Sequence, residues 1–478
     1  MKRYALWIDG AEVPPGERTW HTVTAPNDAS AVHAIAECGF DDVQRAVAAA
    51  RRAAPAWRDR TAVARGGVLA RVAARLRADA DALAAVEARE SGVSVWQGAR
   101  EIEHAAAYFD LYASLAGLPP GAVTSVGSGR RVYTQREPFG VIAVLTSAHA
   151  AAVQIARSLA PALAAGNTVV LKPPQTASVI ALRLARTATA CGLPDGVLNV
   201  VTGAGRAVVD ALTGHPEVRK ISFAGSSREA RAIGTIAADQ LVPFSLELSG
   251  SSCVLVFADA AIRPAVSAAV DGLIDSAGRL PAASTRLIVA DCVHDEVVRR
   301  VADAVAHDPR VRQCMPAVSA ARAACLHAAA EAARSEGASL VAGGGESGPH
   351  GRLGPTILTD VTPDMRVAVA DHSTPVLAVM RFERAEEAVA LANDAEHCCV
   401  ASVWTSRTTG VEAVVSRLEA THVYVNTWDG NWSGRLSDGG WTRLLELREQ
   451  GIEAMYRYTR GKHVAIDCSG AREPAVGC

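Results

Sequence analysis

Four short segments hold most of the residues that could do chemistry here: LKPPQ (171–175), VTGAG (201–205), FAGSS (223–227) and LELSG (246–250). Each follows an apolar run and is rich in Gly, Ser or Pro. That is the composition a backbone needs to come close to a phosphate. The run Gly203-Ala204-Gly205 is only part of a GxGxxG fingerprint and does not define a dinucleotide site by itself. Thiol and metal chemistry have less to start from. The ten cysteines are scattered, the only close pair is the adjacent Cys398–Cys399, and there is no CxxC. Reduced thiols and no metal site are therefore expected.

The elements around these segments follow a strand–helix–strand rhythm from residue 139 onward. VIAVLT (141–146) reads as a buried strand and VQIARSLAPALAAG (153–166) as a helix closed by Gly166. NTVVLK (167–172) is the next strand and SVIALRLARTATACG (178–192) the next helix. GVLNVVTG, VRKISFAGS and FSLELSG continue the pattern to residue 250. Repeated βαβ units imply a mostly parallel sheet with helices on both faces. Ligands in such sheets bind at the carboxyl ends of the strands, where the four segments lie. A second alternation follows with TRLIV (285–289), ASLVAGG (338–344), PVLAVMRF (375–382), VASVWTS (400–406) and HVYVNT (422–427).

The first hundred residues read as helical. Val43, Val47, Ala50, Ala54 and Trp57 step along one face, Leu69, Val72 and Leu76 along the next, and the charged faces read as solvated. GLPPGAVTSVGSG (117–129) is a turn-rich break. RVYTQRE (131–137) and the late HVAI (463–466) alternate as exposed strands do.

Composition narrows the function classes. Of 478 residues, 49% are hydrophobic and 21% charged, which excludes a disordered or collagen-like chain. Lys+Arg is 48 against Asp+Glu 50, a net charge of -2, so there is no field to attract nucleic acid or an anionic membrane. Lys2, Lys172, Lys220 and Lys462 are the only lysines. No apolar run reaches the ~18 residues of a membrane span. The opening segment lacks the apolar core and cleavage site of a secretion signal. A cytoplasmic protein is expected.

At LAPALAAGNTVVLKPP the chain resembles the NAD(P)-dependent aldehyde dehydrogenase superfamily. DDVQRAVAAARRAAPAW, GLPDGVLNVVTG, ISFAGSSREARAIG, LELSG, GPTILTDVTPDMR, ASVWTS and VYVNT follow in the family's order and spacing, so the likeness runs nearly end to end. The resemblance implies an α/β fold of two doubly wound parallel-sheet domains plus a small antiparallel oligomerisation arm. It implies a nucleotide-binding domain of residues 1–122 and 139–248 and a catalytic-type domain of residues 249–442. Residues 123–138 and 443–478 would form the oligomerisation element and C-terminal tail, with a homodimer or homotetramer as the assembly.

The family's chemistry uses a cysteine thiolate, an oxyanion site, a carboxylate base and a nicotinamide. Glu247 stands at the family's base, although it also suits an ordinary strand-end carboxylate. The nucleophile's position is Pro281, within SAGRLP (276–281), and no cysteine lies between Cys253 and Cys292. Proline also lacks the backbone N–H that would be one oxyanion donor. The other donor is the asparagine of a PWN-like motif, which is His149 here, with Ala148 at the tryptophan. Losing one such donor costs about 2.7–4 kcal/mol of barrier.

On the cofactor side, the resemblance assigns Lys172 to the adenine ribose and phosphate, with Gln175 in place of a ribose-chelating glutamate. Gly225 and Ser226 match the pyrophosphate-side motif. The nicotinamide half is weaker: Asp371 replaces a longer carboxylate, and Ser373 replaces the phenylalanine beneath the ring. NAD or NADP is therefore expected with a weakened nicotinamide side. Asp438 stands at an aromatic wall of the substrate pocket, with Trp428 and Trp432 on the preceding loop. A pocket containing His149, Glu247, His372 and Asp438 has the equipment for acid–base work on a carbonyl-type small molecule, with His149, Glu247 and Asp438 as catalytic candidates. The alternatives are a catalytically inactive scaffold or subunit partner and an atypical NAD(P)-dependent oxidoreductase.

Overall fold

A computed structural model describes residues 1–14, 19–26, 30–118, 121–125, 130–248, 250, 252–274, 283–314, 320–344, 347–348, 352–369, 375–395, 398–407, 409–428 and 450–467. Its architecture is α/β, with two large sheets that are each mainly parallel. The first sheet runs in the order Phe244–Leu248, Val218–Gly225, Val141–Leu145, Thr168–Lys172, Leu198–Val200, Leu6–Ile8, Ala11–Val13. Its first five strands are parallel, and the last two join as an antiparallel hairpin. The second runs Ser339–Ala342, Thr356–Thr359, Val376–Phe382, Ser284–Ala290, Ser252–Val256, Val400–Trp404, His422–Val425, with only the first strand antiparallel.

Central strands of both sheets are buried along their whole length, including Val141–Leu145 and Ser252–Val256. Continuous apolar runs such as VIAVL are what a strand covered on both faces requires. Helix Ala151–Ala164 is likewise buried at every position. Its mixture of Ala, Leu, Ile and Val leaves no solvated face, so it packs as a core helix rather than an amphipathic one. A smaller antiparallel sheet joins Val123–Ser125, Arg130–Pro138 and Thr459–Asp467.

Two expectations need correction. The described residues between 2 and 36 are not helical; they include the strands Lys2–Tyr4, Leu6–Ile8, Ala11–Val13, Trp20–Thr24 and Ala31–Ala36, and the first described helix begins at Phe40. The polar faces of the early helices are also not uniformly solvated. Asp42, Glu87, Glu90 and Glu101 are buried. Asp42, Glu87 and Glu90 accept backbone N–H groups, and Glu101 accepts from Gln97 Nε2. Asp42 accepts the N–H of Gly39 at 3.0 Å and pairs with Arg45. Glu90 accepts the N–H groups of Val179 and Ile180, both at 3.0 Å, and lies 3.1 Å from His33 Nε2. These N–H groups belong to the first turn of helix Ser178–Ala190, where intrahelical acceptors are missing.

Candidate active site

The first sheet changes direction at strand Val141–Leu145. Later strands are added on one side by Thr168–Lys172 and Leu198–Val200, and on the other by Val218–Gly225 and Phe244–Leu248. Such a switch point opens a crevice at the carboxyl ends of the strands. A cavity of about 340 Å³ lies there, lined among others by His149, Gln154, Lys172, Gly225, Ser226 and Glu247. The structure thus brings together five residues that the sequence singles out: His149, Glu247, Lys172, Gly225 and Ser226. Gln175, half-buried, opens the short helical turn Gln175–Ala177, one residue past the lining residue Pro174. Asp371 and Asp438 lie outside the described residues, as do Pro281, His372, Ser373 and Trp432.

Among the lining residues, Ser226 caps helix Ser227–Gln240. Its hydroxyl accepts the N–H of Glu229 at 3.3 Å and donates to Glu229 Oε2 at 2.7 Å. Gly225 precedes this cap, where a Cβ would come within 2.5 Å of Phe223 Cζ. The turn therefore excludes any larger residue unless the Phe223 ring moves. Lys172 Nζ donates to the carbonyl of Pro173 at 3.2 Å. Burial pushes its ammonium below the ordinary lysine value, against the opposing pull of Glu37, Cys38 and Glu229. A bare turn, a helix N-terminus and a partly desolvated cation fit the phosphates and ribose of a dinucleotide.

His149 sits in the loop before helix Ala151–Ala164, next to Ala150, whose φ of 46° is left-handed. A non-glycine residue holds that conformation only when its surroundings impose it. One restraint is visible: Glu87 Oε1 accepts the N–H of Ala152 at 3.1 Å, from inside the core. Burial, together with the charge and hydrogen bond of neighbouring Glu101, pushes the Glu87 carboxyl well above its ordinary value.

Glu247 lies near the end of strand Phe244–Leu248 and is itself buried. Gln154 Nε2 donates to its Oε1 at 3.0 Å, and Arg157 Nη1 donates to the same oxygen at 2.5 Å. Gln154 and Arg157, three residues apart, share a face of their helix. Both escaped the sequence reading. The available signal was an amide and a guanidinium interrupting VQIARSLAPALAAG, a segment otherwise suited to complete burial.

Among the described residues, no cysteine lines the cavity. Cys253 is buried in strand Ser252–Val256, and the hydrogen bond with Cys398, followed by burial, pushes its thiol well above the ordinary value. Cys292 is exposed near the start of helix Asp291–His307. Among the described residues there is no group of three or more His, Cys, Asp or Glu that could hold a metal ion. Nor is any helix among them long and apolar enough to cross a membrane.

Comparison with known proteins agrees with this architecture. Residues 13–464 match the model of the aldehyde dehydrogenase family, and the chain belongs to that family. Hydroxyisobutyraldehyde dehydrogenase from Mycolicibacterium austroafricanum is 32% identical over 472 residues, covering 97% of this chain and 93% of that protein. The crystal structure of an NAD-dependent aldehyde dehydrogenase from Sinorhizobium meliloti superposes with a TM-score of 0.94 at 32% identity, covering 100% of this chain and 97% of the other. Betaine aldehyde dehydrogenase from Staphylococcus aureus, in complex with NAD+, gives 0.92 at 26% identity, covering 98% and 95%.

Proposed function

We propose that this aldehyde dehydrogenase-family protein binds NAD or NADP but does not oxidise simple aldehydes through a thiol adduct. Its cavity instead carries out acid–base chemistry on a carbonyl-type small molecule, such as proton transfer, condensation or cyclisation. The observation that carries this reading is that His149 and Glu247 line one cavity while, among the described residues, no cysteine lines it. The sequence adds that Pro281 stands at the nucleophile's position, with neither a thiol nor an N–H to offer.

Lys172, Gly225 and Ser226 would hold the phosphate and adenosine part of the dinucleotide. When bound, the nicotinamide accepts hydride in this family's usual chemistry, and Asp371 and Ser373 give that half less support. His149 would exchange a proton with the substrate, and Glu247 would present a fixed negative charge beside it. Asp438 is the third catalytic candidate, and a cytoplasmic location accords with the reduced-thiol composition.

Calorimetric titration with NAD and NADP, paired with a mass-spectrometric screen of carbonyl compounds for turnover, tests the proposal. His149→Ala is expected to lower any turnover by about 10²–10⁴-fold, the usual worth of a general acid or base. Glu247→Gln is expected to lower it strongly as well. Unchanged turnover in both would remove the acid–base reading. A second reading, an inactive scaffold, is favoured by the Arg157 contact, which ties up Glu247. Tight nucleotide binding without turnover of any screened compound would support the scaffold.

A further inference from the structure

We propose that Arg157 is a positioning residue that holds Glu247 as a permanent carboxylate, so that the proton traffic of the cavity passes through His149. The inference rests on reading His149 and Glu247 as the working pair. Its own support is geometric. Glu247 and Gln154 line the cavity, whereas Arg157 is absent from that lining and reaches Glu247 at 2.5 Å, from outside the lining shell. The two paired side chains are only 8% and 7% exposed.

Helix Ala151–Ala164 is buried at all its positions and Arg157 is its only charged residue, so its guanidinium has little water to turn to. Protonating Glu247 would give up its buried ion pair with that guanidinium, which is costly. Arg also suits the task better than Lys, because its planar fork donates in a fixed direction. Gln154 adds a second donor to the same oxygen at 3.0 Å. An anion with two donors on one oxygen is fixed in place and discouraged from taking up a proton.

Among the described residues, the other ionisable side chains lining the cavity are His149, Lys172 and Glu229. Lys172 and Glu229 belong to the nucleotide end, where Glu229 is engaged by Ser226. His149 is thus the remaining lining side chain able to exchange a proton with a substrate. The consequence for specificity is that the cavity offers its substrate a fixed anion. A carbonyl compound carrying an amine, or one that develops positive charge as it reacts, suits that wall better than one bearing a second carboxylate.

Isotope-edited infrared spectroscopy of protein labelled with carboxyl-13C glutamate, without substrate, tests this directly. The Glu247 signal is assigned by its loss in Glu247→Gln. In the wild type it is expected to stay a carboxylate band across the whole pH range in which the protein is folded. In Arg157→Met it is expected to shift to the protonated-acid band at neutral pH, and Arg157→Lys is expected to recover the carboxylate. A Glu247 band that titrates in the folded wild type, or one unchanged in Arg157→Met, would overturn the proposal. If Arg157→Met does not fold, the wild-type titration decides alone. An ionised Glu247 in a protein without turnover would remove the functional reading and leave this one standing. A titrating Glu247 beside measurable turnover would do the reverse.

Discussion

Replacing Glu87 by glutamine is expected to make the protein progressively more stable than the wild type as pH rises. Glu87 is buried beside Glu101, and burial and that neighbour raise its carboxyl well above the reference value of 4.5. A group whose value is raised on folding contributes stability that is fully present below the unfolded value. That contribution is lost as pH rises through the folded value. Between the two, the folded chain holds one proton that the unfolded chain has released. The stability of the wild type therefore falls by about 1.4 kcal/mol per pH unit from this group alone.

Glutamine keeps an oxygen to accept the Ala152 N–H and has no proton to lose, so the variant lacks this slope. The assay is urea unfolding of both proteins at several pH values above the ordinary carboxylate range. Potentiometry on unfolding just above the ordinary carboxylate range supplements it, where the wild type is expected to release more protons than the variant. Stability curves that run parallel, with equal proton release, would refute the reasoning.

Other outcomes can be checked as directly. Lys172→Ala is expected to weaken NAD or NADP by about 10- to 100-fold in calorimetry, the 1.5–3 kcal/mol of a charge-assisted hydrogen bond; unchanged affinity would count against the nucleotide assignment. Pro281→Cys alone is expected to leave oxidation of acetaldehyde and benzaldehyde undetected, because on the proposed reading His149 still stands in place of the oxyanion amide and groups that act as a unit are not additive. Robust oxidation by the wild type would overturn the functional reading itself. The small antiparallel sheet exposes Val123 and Ile466 along its edge strands, which another subunit could cover. Sedimentation is expected to find a dimer or a dimer of dimers, and a stable monomer at micromolar concentration would contradict that.

The sheets were legible because their strands are long apolar runs between helical segments, and burial on both faces leaves such runs little freedom of composition. VIAVLT appears in the structure as strand Val141–Leu145, and PVLAVMRF as Val376–Phe382. The opening strands were not legible. Lys2–Tyr4 and Ala11–Val13 are three residues each with mostly exposed side chains, so neither a period of two nor a buried run has room to register. The cavity's lining could be read from its strand-end glycines and serines, since backbone approach is a local requirement. The clamp on Glu247 could not. Arg157 and Glu247 stand 90 residues apart, and only the fold makes them neighbours. Buried glutamates were missed for a similar reason: on a helix, Glu87 has the same local pattern as a solvated acid until the N–H of Ala152 arrives, 65 residues later.

The closing of the first core also has a temporal side. Met455 and Tyr458 are fully buried in the same cluster as Trp57, Leu163 and Leu171. Asn167 donates to the carbonyl of Tyr458 across 291 residues of chain. At the usual pace of synthesis, about 5–20 residues/s, that partner arrives roughly 15–60 s after Asn167. Once Leu248 has completed the first sheet, the nascent first unit still lacks its seal, with the apolar surface that Met455 and Tyr458 will cover left open. The second sheet, formed from residues made in between, can complete itself earlier. The unit that is begun first on the ribosome is therefore finished last, and it is the one with more need of a chaperone while it waits.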